Sequence, residues 1–211
     1  MKKLIMLITL SIALVLPATA QNNVNIKKEM KTKAVKQARK EAKKIAKDGF
    51  RVSPGQLPMD KQIENVWTKR YETDNEGRPA FYIADAKAVG ETHSAAKMQA
   101  YEIAKINLAN QIGTEVAGLI ETKLGNTQLN ATDAASVTES VATFKSLAGS
   151  KMGRTLTLFE ASRNIGKNTE VMVTLGYSYK TAMEVAKSML RKDMKEKAKL
   201  NSEQLDKILD F

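Results

Sequence analysis

The sequence predicts a two-layer α+β fold, in which a long helix and further helices pack on a small antiparallel sheet of about three strands. Apolar residues recur every four positions from Ser94 to Leu124, which is typical of a buried helix. Two alternating apolar segments follow one another at 154–163 and 170–179, which favours a hairpin. Only one other convincing strand, 80–89, precedes the long helix, so the strands do not alternate with helices as in a parallel sheet.

Residues 1–20 have the pattern of a secretory signal peptide. Lys2 and Lys3 precede an apolar run from Leu4 to Leu16, and Ala18-Thr19-Ala20 supplies the small residues of a cleavage site. The apolar run is shorter than the roughly 20 residues that a transmembrane helix needs. We therefore expect cleavage after Ala20 and export of a soluble protein to the periplasm, with the periphery of the outer membrane as a further location.

The positive charge of the chain is concentrated in one segment. The 211 residues include 34 Lys and Arg against 23 Asp and Glu, for a net charge of +11, with one His and no Cys. This composition excludes disulfides, thiolate metal sites and clusters of imidazole ligands. Residues 27–47 alone carry ten cations and two anions, a net +8, so most of the remaining chain is nearly neutral.

We expect residues 21–49 to form a basic amphipathic helical arm in front of a single α+β domain at 50–211. The segment is rich in Ala, Lys and Glu and has no Gly or Pro before Gly49. Its apolar stripe consists of Met30, Ala34, Ala38, Ala42 and Ile45. The opposite side carries the candidate polyanion-contact residues, Lys33, Lys36, Arg39, Lys40, Lys43, Lys44 and Lys47. A stripe of mostly alanine buries too little area to hold a membrane, so we expect the helix to lie against its own domain.

Short elements precede the long helix. We expect a short strand at 50–52, a turn at 53–55, a helix from Pro58 to about Tyr71 and a loop at 73–79. Within that helix, Trp67 is either a core anchor or an exposed platform for a ligand. The strand that follows ends at Gly90, and its buried positions are predicted to be Phe81, Ile83, Ala86 and Val89. Thr92 or Ser94 then caps the long helix.

The long helix has a ridge of small residues followed by larger ones, namely Ala96, Ala100, Ala104, Leu108, Ile112, Val116 and Ile120. Gly125 ends it. A second helix at 133–147 is predicted to bury Val137, Val141, Phe144 and Leu147.

The two later strands are joined by a loop at 164–168, and their alternation predicts a sheet with one covered face. Leu156 and Leu158 on the first, with alternate residues from Val171 to Tyr179 on the second, are the expected inward positions. Thr181 is predicted to cap a helix whose inner side is Met183, Ala186, Met189, Leu190 and Met194. A final helical turn is expected at 202–209.

Several short runs resemble a known family. They are the segments 42–50, 55–58 and 95–100, with Gly90 before the last, and then Ala104-Lys105 and 108–112. In these runs the chain is similar to bacterial envelope proteins of the Lpp-twenty lipoprotein family. The resemblance implies a fold like that of the N-terminal domain of flagellar assembly protein T. Because no Cys follows the signal, a lipid anchor is not implied, and the shared motifs assign no functional residue.

The sequence lacks the common catalytic motifs, so we expect no catalytic residue, no cofactor and no metal. Ser94 and Lys97 match the S-x-x-K pattern of penicillin-interacting enzymes, but the partner elements of that pattern are missing. His93 is either a surface or capping residue or a general base. Glu115 and Glu121 are not on one helical face, and the carboxylates of 74–76 are more typical of a solvated turn than of a calcium loop.

The leading hypothesis is an exported, non-catalytic interaction or scaffold module of the envelope. Its partner would be an envelope protein or an anionic envelope polymer, not nucleic acid. The alternative is a polyanion binder that uses helix 27–47 against lipopolysaccharide phosphates, anionic glycans or lipid headgroups. A third hypothesis is a hydrolase whose site has no recognisable motif.

Overall fold

The computed structural model describes residues 19–125, 129–197 and 200–211, so most of the predicted signal peptide lies outside the described residues. Its elements follow the predicted order. They are α1 (Thr19–Lys47), α2 (Met59–Arg70), β1 (Phe81–Gly90), α3 (His93–Gly125), α4 (Ala131–Lys151), β2 (Leu156–Ile165), β3 (Asn168–Ser178), α5 (Tyr179–Lys197) and α6 (Ser202–Ile208). The α+β class is confirmed.

The three strands form an antiparallel sheet in the order β1-β3-β2. α3 lies across β1 and β3 on one face. Every residue of its predicted ridge is at most 2% exposed, which confirms that ridge. Alanines at the start of α3 meet alanines of β1, while larger side chains at its far end fill a thicker core with α4 and α5.

Of the four buried positions predicted for β1, only Ala86 is confirmed. Phe81 and Ile83 are only partly buried, and Val89 is 46% exposed. The side chains that belong to the core under α3 are those of Tyr82, Ala84 and Ala86. The prediction placed large apolar residues inward, but a helix that lies close to a strand leaves room mainly for alanine between them.

The second face of the sheet is also covered, so the expectation of one covered face is wrong. There α2 and the C-terminal half of α1 pack with β2 and with Phe50 in a second core cluster. Its buried members are Ala38, Ala42, Phe50, Ile63, Val66, Leu158, Phe159 and Ala161. The apolar stripe predicted for α1 is confirmed at Ala38, Ala42 and Ile45. The side chains of Met30 and Ala34 lie outside the described residues.

Two predicted inward leucines are exposed. Leu147 of α4 is 40% exposed because Ala148 takes the inward position. Leu156 is 44% exposed, and the register of β2 shifts between Thr157 and Phe159, a bulge that alternation along the sequence does not reveal.

Three local predictions also need correction. The strands extend into the predicted loop, since Ile165 pairs with Asn168 and only Gly166 and Lys167 form the turn. Residues 50–52 provide a single β-bridge, from Arg51 to Ser162, rather than a strand. The hydroxyl of Ser178, and not that of Thr181, caps α5, because it accepts the Thr181 backbone N–H at 3.3 Å.

Side chains and a loop occupy parts of both sheet edges. On β2, Ser162 and Arg51 exchange two backbone hydrogen bonds of 2.8 and 2.9 Å. On β1, Gln111 Nε2 donates to the Ile83 carbonyl at 3.2 Å, and Asn107 Nδ2 donates to the Asp85 carbonyl at 3.4 Å. α3 therefore contacts one edge as well as the face of the sheet.

Gly90→Ala tests the close approach of α3. A Cβ at Gly90 would lie 2.6 Å from the backbone N of Ala96, which cannot yield as a flexible side chain would. We expect the free energy of unfolding to fall by about 1–3 kcal/mol, measured by urea denaturation. Gly118→Ala is the matched control, because nothing lies within 4 Å of its added Cβ and alanine favours a helix. The control should gain up to about 1 kcal/mol, and equal effects of the two changes would contradict the packing described.

Candidate functional site

Six cations form what we call the cationic face of α1: Lys36, Arg39, Lys40, Lys43, Lys44 and Lys47. All six are exposed. Lys33 is exposed too, but it has an interaction partner and is left out of this set. Within the described part of the chain, no carboxylate forms an ion pair with any of the six.

Cations elsewhere in the protein are often paired. Lys61 lies 2.8 Å from Glu64, and Arg70 lies 3.1 Å from Asp85. Pairs of this kind also join elements, as between Arg191 of α5 and Asp206 of α6 at 2.6 Å. The cationic face of α1 is therefore an uncompensated positive surface on a protein whose other charges partly neutralise one another.

The opposite side of α1 packs against the rest of the protein. Ala38 and Ala42 are buried in the second core cluster, and Ile45 packs against it. Between them, the carboxylate of Glu41 accepts a 3.0 Å hydrogen bond from Trp67 Nε1 of α2. Because its inner side is held along more than one turn, α1 presents its cations from a fixed backbone.

The end of α1 is held by two arginines. The Arg51 guanidinium donates to the carbonyls of Ala46 at 2.8 Å and Phe50 at 2.7 Å. Arg163 of β2 donates to the Asp48 carbonyl at 2.7 Å. The bonds to Ala46 and Asp48 satisfy carbonyls at the negative end of the helix dipole, where lysines of the cationic face are also favourable.

Trp67 combines features of both predicted roles. Its ring is half-buried and stacks on Tyr71 with centroids 5.6 Å apart, while its N–H bonds to Glu41. The ring also lines a cavity between α1, α2 and the sheet.

The S-x-x-K pair belongs to a structural network. Lys97 Nζ lies 2.9 Å from Oε1 of Glu160, whose side chain is 5% exposed. The Tyr101 hydroxyl donates to the other carboxylate oxygen at 2.9 Å. The ammonium of Lys97 thus compensates a buried carboxylate on β2, while Ser94 and His93 are exposed at the start of α3. The capping residue of that helix is Thr92, whose hydroxyl accepts the Ala95 N–H at 3.2 Å.

The other acidic candidates are also engaged by neighbours. Glu115 accepts a 2.7 Å hydrogen bond from the Tyr82 hydroxyl. Asp74 accepts backbone N–H groups of Glu76 and Arg78, both at 2.9 Å, as expected for a turn. Across the described ranges, no group of three or more acidic or His residues could hold a metal ion.

Tyr101 gives the Glu160 network a measurable pH dependence. Burial, together with the hydrogen bond to Glu160, raises the pKa of Tyr101 to about 12. The hydrogen bond with Thr157 lowers the pKa, but its effect is smaller than that of burial. Because the folded pKa lies above the unfolded value of about 10, this stabilisation is complete below pH 10 and lost as the pH rises through about 12. We expect unfolding free energies to decline less between these pH values in Tyr101→Phe than in the unsubstituted protein.

Glu160→Gln is the companion variant for this prediction. It keeps the tyrosine but removes the carboxylate that helps to hold it protonated, so tyrosinate absorbance should develop at lower pH. The same titration curve in both proteins would contradict the role assigned to Glu160.

Among the described residues, no helix is both long and apolar enough to cross a bilayer. Comparison of the chain with family models, with curated proteins and with solved structures finds no match in any of the three. No matched protein therefore bears on the function of this chain.

Proposed function

We propose that this protein is a non-catalytic envelope module that binds a phosphate-bearing anionic polymer or surface through the cationic face of α1. The observation that supports it is six exposed cations on one helix face, none of them paired with a described carboxylate. An unpaired surface cation keeps its charge available to a ligand, whereas a paired one must first exchange its partner.

The spacing of the cations suits several simultaneous contacts. From Lys36 to Lys47 the helix rises about 16 Å, and the cations between them keep to the side away from the core. Contacts along one rigid element act together, because the first contact places the others near their phosphates. Weak individual contacts can thus add up to useful affinity.

The same face favours surface contact over insertion into lipid. Between Lys36 and Lys47 the larger apolar side chain, Ile45, packs toward the core and not among the cations. Membrane-surface helices instead place large apolar residues on the lipid side. The expected binding is therefore electrostatic and sensitive to salt.

The envelope setting is supported by the sequence. The pattern of residues 1–20 is that of an exported protein, and the resemblance to Lpp-twenty lipoproteins is in keeping with the same compartment. Lipopolysaccharide phosphates and anionic lipid headgroups are phosphate sources in that setting.

Salt titration tests the proposal. Binding of the protein to soluble polyphosphate, to lipopolysaccharide and to phosphatidylglycerol vesicles can be followed by fluorescence anisotropy or sedimentation. We expect affinity for at least one of these probes to fall about a hundredfold or more between about 50 and 200 mM salt, because bound cations are released from the polymer. Reversal of Lys36, Lys40, Lys43 and Lys47 to Glu should abolish that binding.

A matched control distinguishes the contribution of the cationic face to binding from the effect of net charge. Reversal of Lys167, Lys180, Lys192 and Lys195 changes the net charge equally at exposed positions outside α1. This variant should still bind, with only a modest loss. Equal losses in both variants, or binding that does not depend on salt, would overturn the proposal.

In-cell crosslinking can identify the partner, and the charge-reversed variant is the right comparison. Deletion of 27–47 would also remove Ala38 and Ala42 from the second core cluster and could unfold the protein. We expect crosslinks that depend on the four lysines. A protein partner that survives their reversal would favour the scaffold hypothesis instead.

A further inference from the structure

A cavity of about 350 Å³ lies between the α1–α2 pair and the second face of the sheet. Its apolar walls come from both layers, with Ile63 and Val66 on α2, Phe159 on β2 and Met172 on β3. The ring of Trp67 lies at its side. Cavities that bind small ligands begin at about this size and have mostly apolar walls with a few polar groups.

The charged side chains that line the cavity differ in their ion pairs and hydrogen bonds. Asp85 accepts a 2.6 Å hydrogen bond from the Thr174 hydroxyl and lies 3.1 Å from the Arg70 guanidinium. Glu41 accepts the Trp67 N–H. Asp85 and Arg70 therefore neutralise each other, whereas the one contact of the Glu41 carboxylate here is with a neutral N–H.

Of the two described cations that line the cavity, Arg70 is paired with Asp85 and Lys87 is not. Lys87 is exposed, and its ammonium lies 5.6 Å from the centre of the Phe50 ring. Within the described ranges, no carboxylate forms an ion pair with it. The Lys87 ammonium can therefore hold the anionic end of a molecule whose apolar body lies against the apolar walls of the cavity.

We propose that this cavity binds a small amphipathic monocarboxylate, with the alkyl body against Phe159 and Met172 and the carboxylate at Lys87. The site is separate from the cationic face of α1, because Glu41 and Ile45 reach it from the inner side of that helix. The phosphate-binding proposal is not needed for this one.

Octanoate is the probe, and the intrinsic fluorescence of the protein is the readout. Trp67 is the only Trp of the chain and lines the cavity, so a bound alkyl chain should change its emission. In the full-length protein we expect saturable binding of octanoate, measured also by calorimetry, and weaker binding of octanol. Lys87→Gln should weaken octanoate about fivefold to tenfold and leave octanol unchanged.

Two control variants decide between sites. Lys180→Gln removes an exposed cation from α5 and should leave octanoate affinity unchanged. The four-lysine reversal on α1 should also leave it unchanged. The proposal is overturned if octanoate causes no saturable signal, if Lys87→Gln and Lys180→Gln behave alike, or if the α1 reversal abolishes the binding.

Discussion

The close approach of α3 to the sheet is the constraint on which the other features depend. It requires small residues on both sides, with Ala96, Ala100 and Ala104 on the helix opposite Ala84 and Ala86 on β1. The connection through Gly90 is tight enough that even one methyl group would meet the helix backbone. Because α3 lies so close to the sheet, its side chains reach both edge strands. Tyr101 and Lys97 reach the Glu160 carboxylate on one edge strand, and Gln111 reaches the backbone of the other.

The second face of the sheet gives α1 two separate chemical surfaces. Ala38, Ala42 and Ile45 turn inward, with Glu41 bonded to Trp67 among them. The side chains of the cationic face are exposed to solvent on the opposite side of the same helical turns. Because the inner side is fixed by packing, a ligand of the outer side does not have to order the helix as it binds, and the conformational entropy has already been lost in folding.

The fold class, the element order and the ridge of α3 could be predicted, because a period of four over so long a segment has no competing explanation. The inward face of β1 could not, since it depends on how closely a helix lies, and the composition of the strand does not record that distance. The packing of α1 against its own domain was expected, but its place with α2 on the second face of the sheet was not, because a helical stripe shows which residues turn inward and not which layer they meet.

For the candidate sites, helical periodicity was enough to place the cations of α1 together, whereas their lack of ion pairs depends on tertiary neighbours. Glu160 carries no signal in the sequence, because a buried acid in a strand has the same local pattern as an exposed one. Lys87 and Asp85 likewise come to one cavity only through the pairing of β1 with β3.

A sheet of three strands has an edge on two of them, and unpaired edges are where chains join into larger sheets. Here the middle of β2 already exchanges hydrogen bonds with Arg51, and Gln62 accepts the Glu160 backbone N–H at 3.0 Å. On β1, the amides of Asn107 and Gln111 hold two carbonyls that an incoming strand would need. Edge-to-edge aggregation would first have to break these bonds, so the same polar side chains that attach α3 to β1 also help to keep the protein from polymerising through its sheet.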